Sequence, residues 1–255
     1  MSRLLLIAAF TGLLALGGCS AKTDSDKPPV SSPGTGDAPA AALTGGTPIE
    51  LGYVSEGFPM GLSVSQGFAL NLFDTPGSGQ KFGELPPESG GKRYFDEFKL
   101  AGFAHLVVTD EGPPLTMHFD GNRNGDLTDD RGPFVAEKGT FLPNNLSLQI
   151  RYDREKVVAP YRIWLFGSTM GGVRFYPVCH WRGTLAVNGQ SYAMVAFDGN
   201  ADGDYSNDPL VIDLDGDGKA SEGESLTPGQ TVTVGETVVK LLGVSPSGLT
   251  AQLSW

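Results

Sequence analysis

Arg182–Glu224 reads RGTLAVNGQSYAMVAFDGNADGDYSNDPLVIDLDGDGKASEGE, and its alternation decides the fold class. Thr184–Val187 and Tyr192–Val195 are short alternating runs joined across Asn188-Gly189, a dipeptide that favours the two-residue turn of a β-hairpin. Val195-Ala196-Phe197 leads into the acidic stretch Asp198–Asp208, and Pro209-Leu210-Val211-Ile212 joins that stretch to a second one, Asp213–Glu224. Both connecting runs are short and apolar and read as strands. The segment therefore predicts strands that end in acidic loops.

Similar runs recur outward from it, at Gly67–Phe73, His105–Val108, Leu115–Phe119, Ser147–Tyr152, Tyr161–Phe166 and Val173–Cys179. A second hairpin pairs Thr231–Val234 with Val238–Leu242, followed by Leu249–Trp255. With 36 Gly and 18 Pro in 255 residues, long helices are scarce. The expectation is one all-β domain over residues 48–255, a sandwich or open barrel with the acidic loops at strand ends and no long helices. The pattern FDGNxxGDxxxD occurs twice, from Phe119 and from Phe197, each time after an apolar run (Leu115-Thr116-Met117-His118 and Tyr192–Ala196). A duplicated β unit, with a sub-boundary near residue 136, would account for the repeat.

Three loops carry the charge: Asp120–Asp130 (DGNRNGDLTDD), Asp198–Asp208 (DGNADGDYSND) and Asp213–Glu224 (DLDGDGKASEGE). They hold 13 of the 29 acidic residues and two basic ones, Arg123 and Lys219, so their net charge of −11 equals that of the whole chain. Asp, Asn and Gly also favour turns, and one such loop would decide nothing. Three loops, two of them copies of each other, call for a compensating cation.

Hard cations take six to eight oxygens, and an acidic loop supplies them from side chains at positions 1, 3 and 5, a backbone carbonyl at 7, and a bidentate Glu at 12, with Gly at 6. The third loop fits throughout, with Asp213, Asp215, Asp217, Gly218, the Lys219 carbonyl, Ser221 at position 9 and Glu224. In the first loop Asp120, Asn122, Asn124, Gly125 and Asp126 align with Asp198, Asn200, Asp202, Gly203 and Asp204 of the second. Position 12 is Arg131 or Pro209, and both loops instead carry Asp at position 11, Asp130 and Asp208. Closure by those residues, by Asp129 or by a water remains open at this point. Calcium is the expected ion; magnesium demands a small octahedral cage, and zinc would want Cys or His, which the loops lack.

On these residues the loops resemble the calcium-binding loops of EF-hand and dockerin-type modules, without the flanking helices of an EF-hand. Arg182–Glu224 also resembles a module of bacterial surface lipoproteins in which a β-hairpin feeds a DxNxDGD loop followed by a second acidic loop. That resemblance implies metal binding and no particular activity.

The N-terminus reads as an export signal: Arg3, an apolar run over Leu4–Leu16, then Leu16-Gly17-Gly18-Cys19. This last motif matches the lipobox of bacterial lipoproteins, so Cys19 is the expected lipidation site and its acyl chains the membrane anchor. Ser20 after it resembles the sorting pattern for the outer membrane. Residues 20–47, rich in Ala, Pro, Gly, Ser, Thr and Asp, read as a disordered tether. Beyond Cys19 only Cys179 remains, so no disulfide within the chain is expected.

Cys179-His180 is the one pair that suggests a nucleophile, but adjacent strand residues point to opposite faces. A buried Cys beside a half-exposed His is the plainer reading. Asp153, Glu155 and the stretch Arg93–Phe98 (RYFDEF) show no spacing that lifts their carboxylates above surface charge. No GxSxG, HExxH, phosphate-binding loop or dinucleotide fingerprint is present, and the acidic balance argues against nucleic acid. The expectation is a non-enzymatic, calcium-binding, lipid-anchored protein of the cell envelope, with an envelope protein or glycan as candidate partner. The alternatives are a periplasmic or surface hydrolase with calcium as scaffold, and a calcium-dependent adhesion or carbohydrate-binding module.

Overall fold

The computed structural model describes residues 45–57, 59–62, 68–136, 141–168 and 172–255. The export signal, Cys19 and most of the tether lie outside the described residues. The period-two alternation read above appears as four antiparallel sheets.

The first sheet is a meander of β4 (Arg93–Leu100), β5 (Phe103–Asp110), β6 (Thr116–Phe119) and β7 (Phe134–Val135). The second, ordered β3-β10-β9-β8, combines β3 (Phe68–Leu70) with β10 (Gly172–Pro177) and the long hairpin of β8 (Phe141–Tyr152) and β9 (Val157–Ser168). The third, ordered β14-β13-β12-β11-β2, comprises β2 (Gly52–Val54), β11 (His180–Val187), β12 (Gln190–Ala196), β13 (Leu210–Asp213) and β14 (Ser225–Leu226). The fourth, ordered β1-β17-β16-β15, is formed by β1 (Thr47–Glu50), β15 (Thr231–Val234), β16 (Thr237–Val244) and β17 (Thr250–Ser254). Among the described residues no sheet closes into a barrel, an arrangement consistent with the expected sandwich.

The Asn188-Gly189 turn forms as its residue types require: both have positive φ, 53° and 76°, and Val187 faces Gln190 across it. β6 and β13 are buried on every residue, so their sequences TMHF and LVID read as apolar runs or mixed segments rather than as clean alternation. All four sheets feed one core, which includes Phe98 and Met117 from the first, Tyr161 and Phe175 from the second, Leu185 and Ile212 from the third, and Leu241 and Leu253 from the fourth. Burying each such side chain stabilises the fold by about 1.5–3 kcal/mol.

Two expectations are corrected here. Arg93–Phe98 is not loose surface charge but most of strand β4. Asp96 is buried, with its carboxyl pushed up to about 6 by desolvation, and Arg93 clasps the buried Asp110 through two bonds of 2.6 and 2.8 Å. Cys179 and His180 do not share a strand. β10 ends at Pro177 and β11 begins at His180, so Cys179 sits in the bend between them, and both residues are buried.

The repeated sequence pattern has a topological counterpart. In the first sheet the β5–β6 hairpin runs into the first acidic loop, which returns as β7 against β6. In the third sheet the β11–β12 hairpin runs into the second loop, which returns as β13 against β12. The third loop follows at once, between β13 and β14, so the second and third loops occupy opposite ends of a four-residue strand.

Candidate metal centres

The three loops share one backbone path. Position 4 is Arg123, Ala201 or Gly216 and position 6 is Gly125, Gly203 or Gly218, and all six residues have positive φ between 62° and 83°. This double excursion turns the chain around its own first side chain. Asp120, Asp198 and Asp213 each accept the N–H of the position-6 glycine, at 3.0, 2.7 and 3.2 Å. Position 3 accepts from the amide two residues on: Asn122 from Asn124, Asn200 from Asp202 and Asp215 from Asp217, at 2.9–3.0 Å. Position 5 does the same at 2.7–2.8 Å, with Asn124, Asp202 and Asp217 holding the amides of Asp126, Asp204 and Lys219.

At position 7 the side chains turn to their own chain. Asp126 accepts from the amide and hydroxyl of Thr128, and Asp204 from those of Ser206. The Thr128 hydroxyl holds the Asp126 carboxyl below the usual carboxylate range. Lys219 and Ser221 are exposed, and the Ser221 amide donates to Glu224.

Closure differs among the loops. In the third loop Glu224 is buried and brought back against Asp213 and Asp215, one carboxylate oxygen of each lying within 4.8 Å of the others. Its Oε1 accepts from Leu214 and Asp215, and its Oε2 from Ser221. In the second loop the corresponding group is Asp198, Asp202 and Asp208, again within 4.8 Å. Asp208 is buried; Oδ1 takes the Gly199 amide at 3.1 Å, whereas Oδ2 has no hydrogen-bond partner among the described residues. The first loop repeats the feature, since Asp130 Oδ2 is also buried without a partner among those residues. Asp129 is instead taken up by the side-chain amides of Asn122 and Asn124. Its counterpart Asn207 bonds Asn200 and Asp202, so position 10 is held by neighbouring side chains in both copies, and in the second loop position 11 joins the converging carboxylates.

Electrostatics follow the geometry. Burial, then the neighbouring Asp198, pushes the Asp208 carboxyl up to about 7. Burial and then Asp120 raise Asp130 to about 6, and burial raises Asp198. Two ionised carboxylates 4.8 Å apart repel by about 3–4 kcal/mol at an effective dielectric of about 20, whereas one turn hydrogen bond returns about 1 kcal/mol. A loop of three converging carboxylates is therefore costly as a mere turn. The donor set is all hard oxygen, which fits calcium and offers zinc nothing.

Several features were not legible from the loop pattern. The position-8 amide of each loop docks on a separate segment: Leu127 on the Glu84 carbonyl, Tyr205 on that of Pro246, and Ala220 on that of Met60. Leu127 and Tyr205 also bury their side chains, an apolar signal at position 8 visible in the sequence once the register is known. Tyr161 of β9 bonds Asp198, and nothing in its own sequence neighbourhood marks it.

Outside the loops, Cys179 is fully buried, accepts from the Arg162 amide at 3.2 Å and lies 3.7 Å from the Tyr205 hydroxyl. Burial pushes its thiol up, away from the thiolate that a nucleophile needs. His105 is buried and bonded to the Asp120 carbonyl, and His118 lines a cavity of about 350 Å³ beside Asp130. Asp153 pairs with Arg151, and Glu155 is bonded to Ser247.

Comparison with protein-family models, with curated proteins and with solved structures finds no match to this chain.

Proposed function

We propose that this is a calcium-binding protein of the bacterial cell envelope, non-enzymatic and anchored by lipid on Cys19, in which Ca2+ in the acidic loops completes the fold. The observation that carries the proposal is the second loop: three carboxylates converge, two of them buried, and one buried oxygen of Asp208 has no partner among the described residues. A cation supplies the missing partner and cancels the repulsion, so its binding energy becomes folding energy. Millimolar calcium outside the cell is enough to fill even the weak extracellular kind of site. Lipobox and outer-membrane sorting residues support the location.

Thermal unfolding in millimolar calcium, in excess chelator, and in magnesium tests this. A rise of the melting temperature by several degrees in calcium alone is the expected result. Identical curves in all three conditions would return the loops to solvated turns.

Calcium-dependent binding of a glycan or other envelope ligand is the second reading, and one observation favours it. A cavity of about 260 Å³ flanks the first loop, lined by the ligand candidates Asn122 and Asp130 together with Arg131, Ser147 and Gln149. A bound ion there would face an open cleft rather than a closed shell.

A further inference from the structure

The second loop differs from its copies in what stands behind it. Tyr161, on β9 of the second sheet, reaches the third sheet's loop, and its hydroxyl donates to Asp198 Oδ2 at 2.5 Å. Both side chains are fully buried. The same Oδ2 accepts the Gly203 amide at 2.7 Å, whereas Oδ1 has the longer 3.3 Å contact from Asp202. Two donors thus fix one oxygen and leave the other for the interior of the loop. Asp120 and Asp213 accept matching backbone amides and, among the described residues, no side-chain hydroxyl. Opposite Asp198 lies the unpartnered Oδ2 of the buried Asp208.

We infer that Tyr161 is a positioning residue for a calcium ion in the second loop, holding Asp198 so that Oδ1 faces the ion alongside Asp202 and Asp208. The inference rests on the calcium reading. A hydroxyl donor suits this position because it steadies a buried carboxylate without neutralising it, so the ligand keeps its charge and its rotamer. An ammonium or guanidinium in the same place would compete with the cation. Outer partners of metal ligands are commonly worth about 10–100-fold in affinity. The arrangement also ties the ion to the packing of the second sheet, because Tyr152 from the same hairpin donates to the Gly203 carbonyl at 2.8 Å.

The position-6 glycines supply one reporter per loop, since the amides of Gly125, Gly203 and Gly218 each bond a first ligand. Calcium titration of the full-length protein, followed by the resonances of these three amides, is compared with Tyr161→Phe. The expected result is a midpoint at Gly203 raised at least tenfold, with Gly125 and Gly218 unchanged. Tyr53→Phe serves as control, because it removes a hydroxyl that faces Cys179 instead of Asp198 and belongs to none of the loops, and it should leave the Gly203 midpoint in place. An unchanged Gly203 midpoint in Tyr161→Phe overturns the inference, as does an equal shift at all three glycines. So does a melting temperature lowered by the same amount in calcium and in chelator, which marks a purely structural tyrosine. If the wild-type Gly203 amide ignores calcium, the calcium reading itself fails; if only the variant's difference is missing, that reading stands and the role of Tyr161 alone is lost.

Discussion

Asp208→Asn should make the protein more stable without calcium and less responsive with it. Burial and Asp198 lift the Asp208 carboxyl from 3.8 to about 7. Three pKa units correspond to about 4 kcal/mol, and screening by the solvent that reaches the loop reduces this to about 2 kcal/mol. At pH 8 in chelator the wild type carries that penalty and the Asn variant does not. The variant should therefore melt higher by roughly 4–8 °C, at 2–4 °C per kcal/mol for a domain of this size. In calcium the wild type gains about 2.7 kcal/mol from the second loop at a hundredfold excess over its dissociation constant. The variant, with the closing ligand neutralised, should forgo most of that and show a calcium-induced shift smaller by about 5–11 °C.

The pH dependence gives a second check on the same residue. A carboxyl whose folded pKa is raised holds its proton in the native state after the unfolded chain has lost it. Stability in chelator therefore falls as pH rises from about 4 to about 7. Asp208→Asn should flatten that slope, leaving the smaller contributions of Asp96 and Asp130, both pushed up to about 6 by burial. Calorimetric melts at pH 5 and pH 8, with and without calcium, measure all four quantities. Equal melting of variant and wild type in chelator at pH 8, together with an unchanged calcium shift, would refute the assignment of Asp208 as the closing ligand.

Two further predictions use other parts of the second loop. Cys179 lies beneath Tyr205, so iodoacetamide should label it about 100-fold faster in chelator than in calcium if the loop contributes about 2.7 kcal/mol to keeping that region closed; equal labelling rates would show that the loop does not guard the thiol. Gly203→Ala should cost about 2–4 kcal/mol in urea unfolding, because φ is +76° and a Cβ would stand 3.0 Å from the Ala101 amide and 3.2 Å from Leu100, whereas Gly218→Ala, at φ +75° in open space, should cost only about 1–2 kcal/mol.

The all-β class was legible because period-two patterning and the Asn188-Gly189 turn are local signals, and both reappear in the β11–β12 hairpin. The turn geometry of the acidic loops was legible for the same reason, each set of candidate side chains being contained in a dozen consecutive residues. What could not be read is whatever depends on a partner far along the chain. Strand β4 resembles surface charge in sequence because Arg93, Asp96 and Glu97 look solvated until Asp110, 17 residues from Arg93, claims it. Cys179 reads as the end of a strand because nothing local shows the chain turning after Pro177. Tyr161 is 37 residues from Asp198, and only the crossing of β9 behind the second loop joins them. The closing residue is undecided in sequence between positions 10 and 11, since both are acidic in the first loop; the distinction lies in side-chain direction, with Asn122 and Asn124 drawing Asp129 outward.

The docking of the position-8 amides bears on why this fold would need metal at all. Residues 71–92, between β3 and β4, form a long stretch with no strand of their own beyond the single bridge from Phe73 to Phe95. Connections of that length are uncommon in compact domains unless something holds them. Here the first loop does so, through the bonds from Gly83 to the Gly125 carbonyl and from Leu127 to the Glu84 carbonyl. Phe82 packs against the small cluster of Leu106, Val108 and Leu127 on the outer face of the first sheet. The second and third loops grip the chain at Pro246 and Met60 in the same manner. Each amide is presented by a loop that carries converging carboxylates or their amide counterparts, so whatever neutralises a loop also steadies the segment docked on it. Among the described residues the one cysteine, Cys179, is free, so no disulfide staples these segments, and ions would supply what cross-links provide elsewhere. The order of loss on chelation should then follow the loops outward to their docked segments before it reaches the core that all four sheets share.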